Sequence, residues 1–322
     1  MIFIKYLLAF AMAFTIVILL IPVLKRLAFK LDFVDKPVEG NERKIHREPV
    51  PLTASIAIFA GFFATYALFQ RKFDLEFLAV FIGSVMIMGI GMLDDWYKTH
   101  GRELSALPKF VVQVLAAFIV YRSGIVFSGF HNPFNNSDVV LPGILQLILT
   151  VTWIFGVTTV INFSDGMDGL AGGLSTISAM TLFVVAITKG QSAPAVMAIA
   201  LVGTGVGYLR FNRPPARIYM GDAGATFMGF ILAIIALDGA FKQATVLSLF
   251  IPILALGVPI FDNIFVVVKR FINGRPVFKA DASQVHYRLL SHGLNQKQVV
   301  AFLWLVNLCF CLTSIILLLL KV

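Results

Sequence analysis

Residues 158–173 read TTVINFSDGMDGLAGG, between apolar runs at 143–161 and 169–187. A membrane-spanning helix needs about 20 mostly apolar residues, so the stretch reads as a short connection between two spans. Asn162, Asp165 and Asp168 fall in this connection, with no Lys or Arg beside them. A plain turn requires no carboxylates, so these residues mark a place to look for chemistry.

The same reading extends along the chain. Its 322 residues are 59% hydrophobic and 13% charged, with a mean hydropathy of +0.90. Such a composition cannot supply the polar surface of a soluble globule. We therefore read an all-α, polytopic integral membrane protein of about ten or eleven transmembrane helices, forming one domain over 1–322. Ten candidate spans stand out: 2–24, 52–70, 76–93, 108–122, 143–161, 169–187, 193–209, 225–240, 244–268 and 299–320. The fourth and eighth are the shortest signals. The first carries only Lys5 early and is too long for a signal-peptide core, so it reads as a retained helix.

Lys and Arg positions set the orientation, because short basic loops stay cytoplasmic. The loops 25–51 and 269–298 are strongly basic, and alternation puts 94–107, 162–168 and 210–224 on the same side. That side holds 19 of the 26 basic residues, counting Lys109 at a helix start. The net charge of +9 is then a membrane-face feature, and no nucleic-acid partner is expected. From Ser283 to Leu290 a short helix is expected, ending at Gly293, and Asn295 with Gln298 reads as the cap of the last span.

The unusual acids gather on this same face. Asp94 and Asp95 close the third span in GMLDDWYKTHG, Asp222 sits in FNRPPARIYMGDAG before the eighth, and Asp262 follows Pro259 in the ninth. Lys98, Lys109, Arg217, His286 and Arg288 surround them, giving an acidic centre in a basic rim. Carboxylates favour Mg²⁺, with Mn²⁺ as the alternative, and the basic rim suits a phosphate-bearing substrate. Several motifs carry plainer readings. Gly172-Gly173 and the glycines at 203, 205 and 207 suit helix packing, Cys309 and Cys311 suit packing more than a disulfide or metal, and His46, His100 and His131 have no ligand spacing.

Over nearly its whole length the chain resembles the polyprenyl-phosphate N-acetylhexosamine-1-phosphate transferases. The resemblance rests on Asp94-Asp95 with Lys98, Lys109 and Gln113, on NFSDGMDGLAGG at 162–173, on FNRPPARIYMGDAG at 211–224, and on DASQVHYRLL at 281–290. KIHREPVP at 44–51 is similar to the branch that uses UDP-N-acetylglucosamine. The resemblance implies transfer of N-acetylglucosamine 1-phosphate to undecaprenyl phosphate with release of UMP, the first membrane step of a teichoic acid, O-antigen (lipopolysaccharide) or related polymer. It places the enzyme in the plasma membrane with a cytoplasmic-face active site, and it admits a homodimer.

By that resemblance Asp222 is the Mg²⁺ ligand, Asp94 and Asp95 bind or activate the lipid phosphate, and Asn162 and Asp165 shape the diphosphate site. Asp168 and Asn212 lie near the nucleotide, Tyr219 stacks on uracil, and Lys98, Lys109 and Arg288 contact phosphate. Only His286 remains of the family's His-x-His-His core, which leaves it a catalytic role without a second histidine. The implied mechanism is in-line attack by the lipid phosphate, with a two-step path through an Asp nucleophile as its rival. Two other functions stay open: the phospho-MurNAc-pentapeptide translocases of peptidoglycan synthesis, and a membrane transporter or flippase. Transport sites usually lie at mid-membrane between repeats, whereas these acids collect at helix ends.

Overall fold

The computed structural model describes residues 2–37, 48–102, 104–132, 137–240, 249–274 and 283–320. Among them are α1 (Ile2–Lys30), α2 (Ala54–Gln70), α3 (Leu75–Thr99), α4 (Ala106–Arg122), α5 (Gly143–Phe163) and α6 (Leu170–Thr188). There follow α7 (Ser192–Asn212), α8 (Gly221–Ile235), α9 (Phe250–Ala255), α10 (Gly257–Ile272), α11 (Val285–Ser291) and α12 (Gln296–Leu319). Two small antiparallel pairs complete the set: β1 (Val34–Asp35) with β2 (Val50–Pro51), and β3 (Gly129–Asn132) with β4 (Ser137–Val140).

Among the described residues, seven helices are long and apolar enough to cross a membrane: α1, α3, α5, α6, α7, α12 and α8 with its continuation to Gly239. The chain is a polytopic helical membrane protein. Helices α2 and α4 are each 17 residues long, and α2 is strongly apolar. The expected eighth span begins earlier, at Gly221, and its last turn widens into a π-helix over Ala236–Ala240. The expected ninth span differs: its described part is two helices, α9 and α10, that break at Leu256, while 241–248 lie outside the described residues.

Hydrophobic patterning decides which helix goes where. In α8 every residue from Ala223 to Ile235 is buried, so it forms the axis of the bundle between α3 and α5. Helix α7 is nearly as buried and packs between α1 and α6. The peripheral helices keep one apolar face exposed, with Leu7 and Leu19 on α1, Ile144 and Ile148 on α5, and Leu305 and Leu312 on α12. Exposed leucines and isoleucines around a bundle are what a lipid solvent requires.

Polar side chains close several helix ends. The Asp74 side chain caps α3 by accepting the Phe77 N–H at 3.0 Å, and Asn295 with Gln298 forms the expected capping box of α12. At the α9–α10 break, α12 provides partners at one helical face: Ser314 donates to the Ile251 carbonyl at 2.8 Å, and Cys311 to that of Ala255 at 3.5 Å. Asn307 accepts the Val258 N–H at 3.4 Å. Cys311 is buried and Cys309 exposed, and both are free thiols.

Candidate active site

The carboxylates come together because six helix ends meet at one end of the bundle. These are the C-termini of α3, α5 and α7 and the N-termini of α4, α6 and α8. Helix α3 runs six residues past the expected end of its span, to Thr99, so Asp94, Asp95 and Lys98 are helical rather than loop residues. Neighbouring helical residues point about 100° apart, and the two aspartates accordingly face different partners.

Asp94 turns toward the lysines. Its Oδ2 pairs with Lys98 Nζ at 2.9 Å, one turn along α3, and with Lys109 Nζ at 3.0 Å from the first turn of α4. Its Oδ1 is buried and has no hydrogen-bond partner. Asp95 turns toward α8, where Oδ1 accepts the Asp222 N–H at 2.9 Å and Oδ2 the Ala223 N–H at 3.2 Å. Helix N-termini leave such amides without intrahelical acceptors, and here a carboxylate from another helix satisfies them. Gly221 makes the approach feasible: its φ is +64°, and a side chain there would collide with the Asp95 carboxylate.

Asp222 lies in the first turn of α8, its side chain aimed back at the same cations. It meets Lys98 Nζ at 2.7 Å and Lys109 Nζ at 3.8 Å. Gln113, one turn beyond Lys109, is buried nearby on α4. Two lysines thus bridge two carboxylates from α3 and α8, leaving one carboxylate oxygen without a partner.

The 164–169 connection closes over this group. Burial, reinforced by Asp222 and Asp168, pushes the Asp165 carboxyl up to about 7. Asn162 accepts the Asp165 N–H through its carbonyl at 3.1 Å. Asp168 is engaged with the protein itself: Oδ2 accepts the Ala216 N–H at 2.9 Å and Oδ1 accepts the Tyr219 hydroxyl at 3.1 Å. Asn212 works similarly, accepting the Gly169 N–H at 2.8 Å and donating to the Ile218 carbonyl at 3.0 Å. These two side chains fasten the 164–169 and 213–220 loops together.

Tyr219 continues the chain of contacts to β2. Its N–H donates to the Pro51 carbonyl at 2.7 Å, and its carbonyl accepts the Ala54 N–H at 3.2 Å. Burial, then Asp168, then more weakly Asp35 hold its hydroxyl above the usual phenol range. Asp35 was not singled out in the sequence, where it is one acid in a basic loop. Of the 44–51 motif, residues 44–47 lie outside the described residues, as do His46 and residues 281 and 282.

The last segment reaches the site through His286, which is 1% exposed on α11. A side chain at Gly166 would collide with its imidazole, so the ring packs directly on the 164–169 connection. Nε2 has no partner, and burial lowers the ring's proton affinity to a pKa of about 4. Arg288 pairs with Asp262 Oδ1 at 3.1 Å. Arg210, Arg213 and Arg217 remain exposed at this end. Asp94, Asp95 and Asp222 therefore meet Lys98 and Lys109 as one centre, whereas Arg288 is paired with Asp262.

Residues 77–240 match the model of glycosyl transferase family 4. The chain belongs to that family. A Bacillus subtilis family member, named a probable undecaprenyl-phosphate N-acetylglucosaminyl 1-phosphate transferase, is 35% identical over 314 residues, covering 98% of this chain and 85% of that protein. The decaprenyl-phosphate N-acetylglucosaminephosphotransferase of Mycobacterium leprae is 30% identical, with coverages of 87% and 75%. A phospho-N-acetylmuramoyl-pentapeptide-transferase of Staphylococcus carnosus is 27% identical, with 96% of both chains covered. The glycosyl transferase family 4 match contains every aspartate of the centre but ends before Asp262, His286 and Arg288.

Proposed function

We propose that the protein transfers N-acetylglucosamine 1-phosphate from UDP-N-acetylglucosamine to a polyprenyl phosphate, undecaprenyl phosphate by preference, and releases UMP. The observation that carries this reading is the joining of Asp94, Lys98, Lys109 and Asp222 at one end of a membrane bundle. Such a site can meet a lipid phosphate at the membrane boundary and a nucleotide diphosphate from the aqueous side. The basic loops argue that this side is cytoplasmic, and the product would initiate an envelope polymer such as teichoic acid or O-antigen. The N-acetylglucosamine donor is favoured over UDP-MurNAc-pentapeptide by the higher identity to the Bacillus subtilis relative.

The residues suit Mg²⁺ or Mn²⁺. Asp222 and the unpartnered Oδ1 of Asp94 are hard oxygen donors, and Mg²⁺ commonly takes one or two carboxylates and completes its shell with water and substrate phosphates. Among the described residues no group of three or more His, Cys, Asp or Glu side chains could hold a metal alone, which accords with that sharing. When bound, the ion would neutralise charge on the diphosphate.

In the proposed reaction an oxygen of the lipid phosphate attacks the β-phosphorus of the UDP-sugar. A P–O bond forms there as the bond to the α,β-bridging oxygen breaks, and that oxygen leaves on UMP. A phosphomonoester has a second pKa near about 6, so the acceptor is largely dianionic and needs little base catalysis. Asp94 orients the acceptor and takes any residual proton, while Lys98 and Lys109 counter the phosphate charge. Asp95 fixes the first turn of α8 and thereby Asp222. Positioning and charge compensation supply most of the rate.

The test is UMP release by purified protein in detergent with undecaprenyl phosphate, Mg²⁺ and one donor at a time. Release with UDP-N-acetylglucosamine is expected. Release only with UDP-MurNAc-pentapeptide would move the reading to that donor, and no release from folded protein would overturn it in favour of transport.

The pH profile should separate Asp165 from His286. An Asp165 carboxyl near 7 gives activity that rises with pH through about 7 if the ionised form is needed, and Asp165→Asn should remove that limb. His286 is neutral above about 4, so His286→Gln should leave the limb in place whatever it does to the maximum rate. Loss of the limb in His286→Gln would contradict this assignment.

A further inference from the structure

We infer that Asp262 is a positioning residue for the transferase, acting through Arg288, which it holds as a presented phosphate donor. This rests on the proposed function, and it concerns residues beyond the part of the chain that matches the family model.

Asp262 lies on α10, away from the aspartate centre, and its carboxylate serves α11 twice. Both oxygens accept the Val285 N–H, at 2.9 and 3.1 Å, and Oδ1 also accepts from Arg288 Nη2 at 3.1 Å. Helix α11 has no cap of its own, since Gln284 at its N-cap makes no capping hydrogen bond. Val285 and Arg288 are three residues apart and share one helical face, so a single carboxylate fixes the rotation of α11. His286 is thereby turned onto Gly166.

A third contact restrains the guanidinium. Its carbon lies 4.3 Å from the centre of the Phe265 ring, one turn after Asp262 on α10. Asp262 and Phe265 thus hold Arg288 at an edge and at a face. The Arg288 Nε is buried with no acceptor, although an arginine fork offers five donors. A guanidinium held on one edge with unused donors is suited to a phosphate oxygen, and here the oxyanion would belong to the UDP-sugar diphosphate or the lipid phosphate.

The experiment is steady-state UMP release by wild type, Asp262→Asn, Asp262→Glu, Arg288→Ala and the Asp262→Asn/Arg288→Ala double variant, each with a thermal melt. Asp262→Asn should lower kcat/KM on the order of 10- to 100-fold, as displaced positioning groups do, with partial recovery in Asp262→Glu. In the Arg288→Ala background Asp262→Asn should cost less than about threefold more, since its effect passes through that side chain. A higher KM for UDP-sugar alone assigns the diphosphate, and one for polyprenyl phosphate alone assigns the lipid. If Asp262→Asn fails to fold, Phe265→Leu removes the supporting ring from a partly exposed site and should give a smaller defect, again absorbed by Arg288→Ala. Fully additive losses, an Arg288→Ala enzyme with wild-type kinetics, or variants that lose melting temperature but keep kcat and both KM values would overturn the inference. A wild-type protein that releases no UMP would instead remove the transferase reading beneath it.

Discussion

Asp222→Asn is expected to lower UMP release on the order of 10³-fold or more while the protein stays folded. The substitution keeps the size of the side chain but removes the charge that meets Lys98 at 2.7 Å and Lys109 at 3.8 Å. Loss of one preorganised electrostatic contact costs a catalyst about 10²- to 10³-fold, and Asp222 is also the expected cation ligand. The effect on stability should be small, because the Asp222 side chain is 21% exposed and Lys98 is 40% exposed, and ion pairs of partly exposed groups contribute about 0–1 kcal/mol. Parallel thermal melts and UMP assays in detergent check this directly. Activity within tenfold of wild type would remove Asp222 from the centre of the mechanism.

The second large effect separates two adjacent residues that look equivalent in the sequence. Asp95→Ala should lower both melting temperature and activity, because the part-buried Asp222 amide and the buried Ala223 amide lose their acceptor. A buried amide left unsatisfied costs about 1–3 kcal/mol, so a destabilisation of roughly 2–6 kcal/mol is expected from the pair. Asp94→Asn should behave differently, keeping a polar oxygen for the partly exposed lysines and losing mainly kcat. Its melting temperature should fall by less than that of Asp95→Ala. The reverse order would mean that Asp94 holds the fold and Asp95 meets the substrate.

Much of this protein could be read before any contact was known. Apolar run length determined the membrane class and most helix positions, because a helix in lipid must satisfy its own backbone and present apolar side chains. Basic residues marked one face, and the acids of 94–95, 162–168 and 222 fell on it. The short helix expected over 283–290 and the Asn295 cap were equally legible, the cap because it is a local hydrogen-bonding pattern. That Asp94, Asp165 and Asp222 share one face followed from the alternation of the spans, and their grouping in one site was what the family resemblance implied.

The division of labour inside that centre was decided by tertiary structure alone. Asp94 and Asp95 have the same chemistry, and only the packing of α3 against α8 gives one to lysines and the other to backbone amides. Asp168 and Asn212, which the family resemblance places near a nucleotide, spend their polar atoms on fastening two loops. Asp262 had no visible partner in the sequence because Val285 and Arg288 lie 23 and 26 residues away. Sequence pattern records hydrophobicity and local hydrogen bonding, whereas a partner on another helix depends on crossing geometry and helix rotation. For this chain the sequence determined the solvent, the helices and the face on which the acids gather, and helix packing determined which partner each carboxylate meets there.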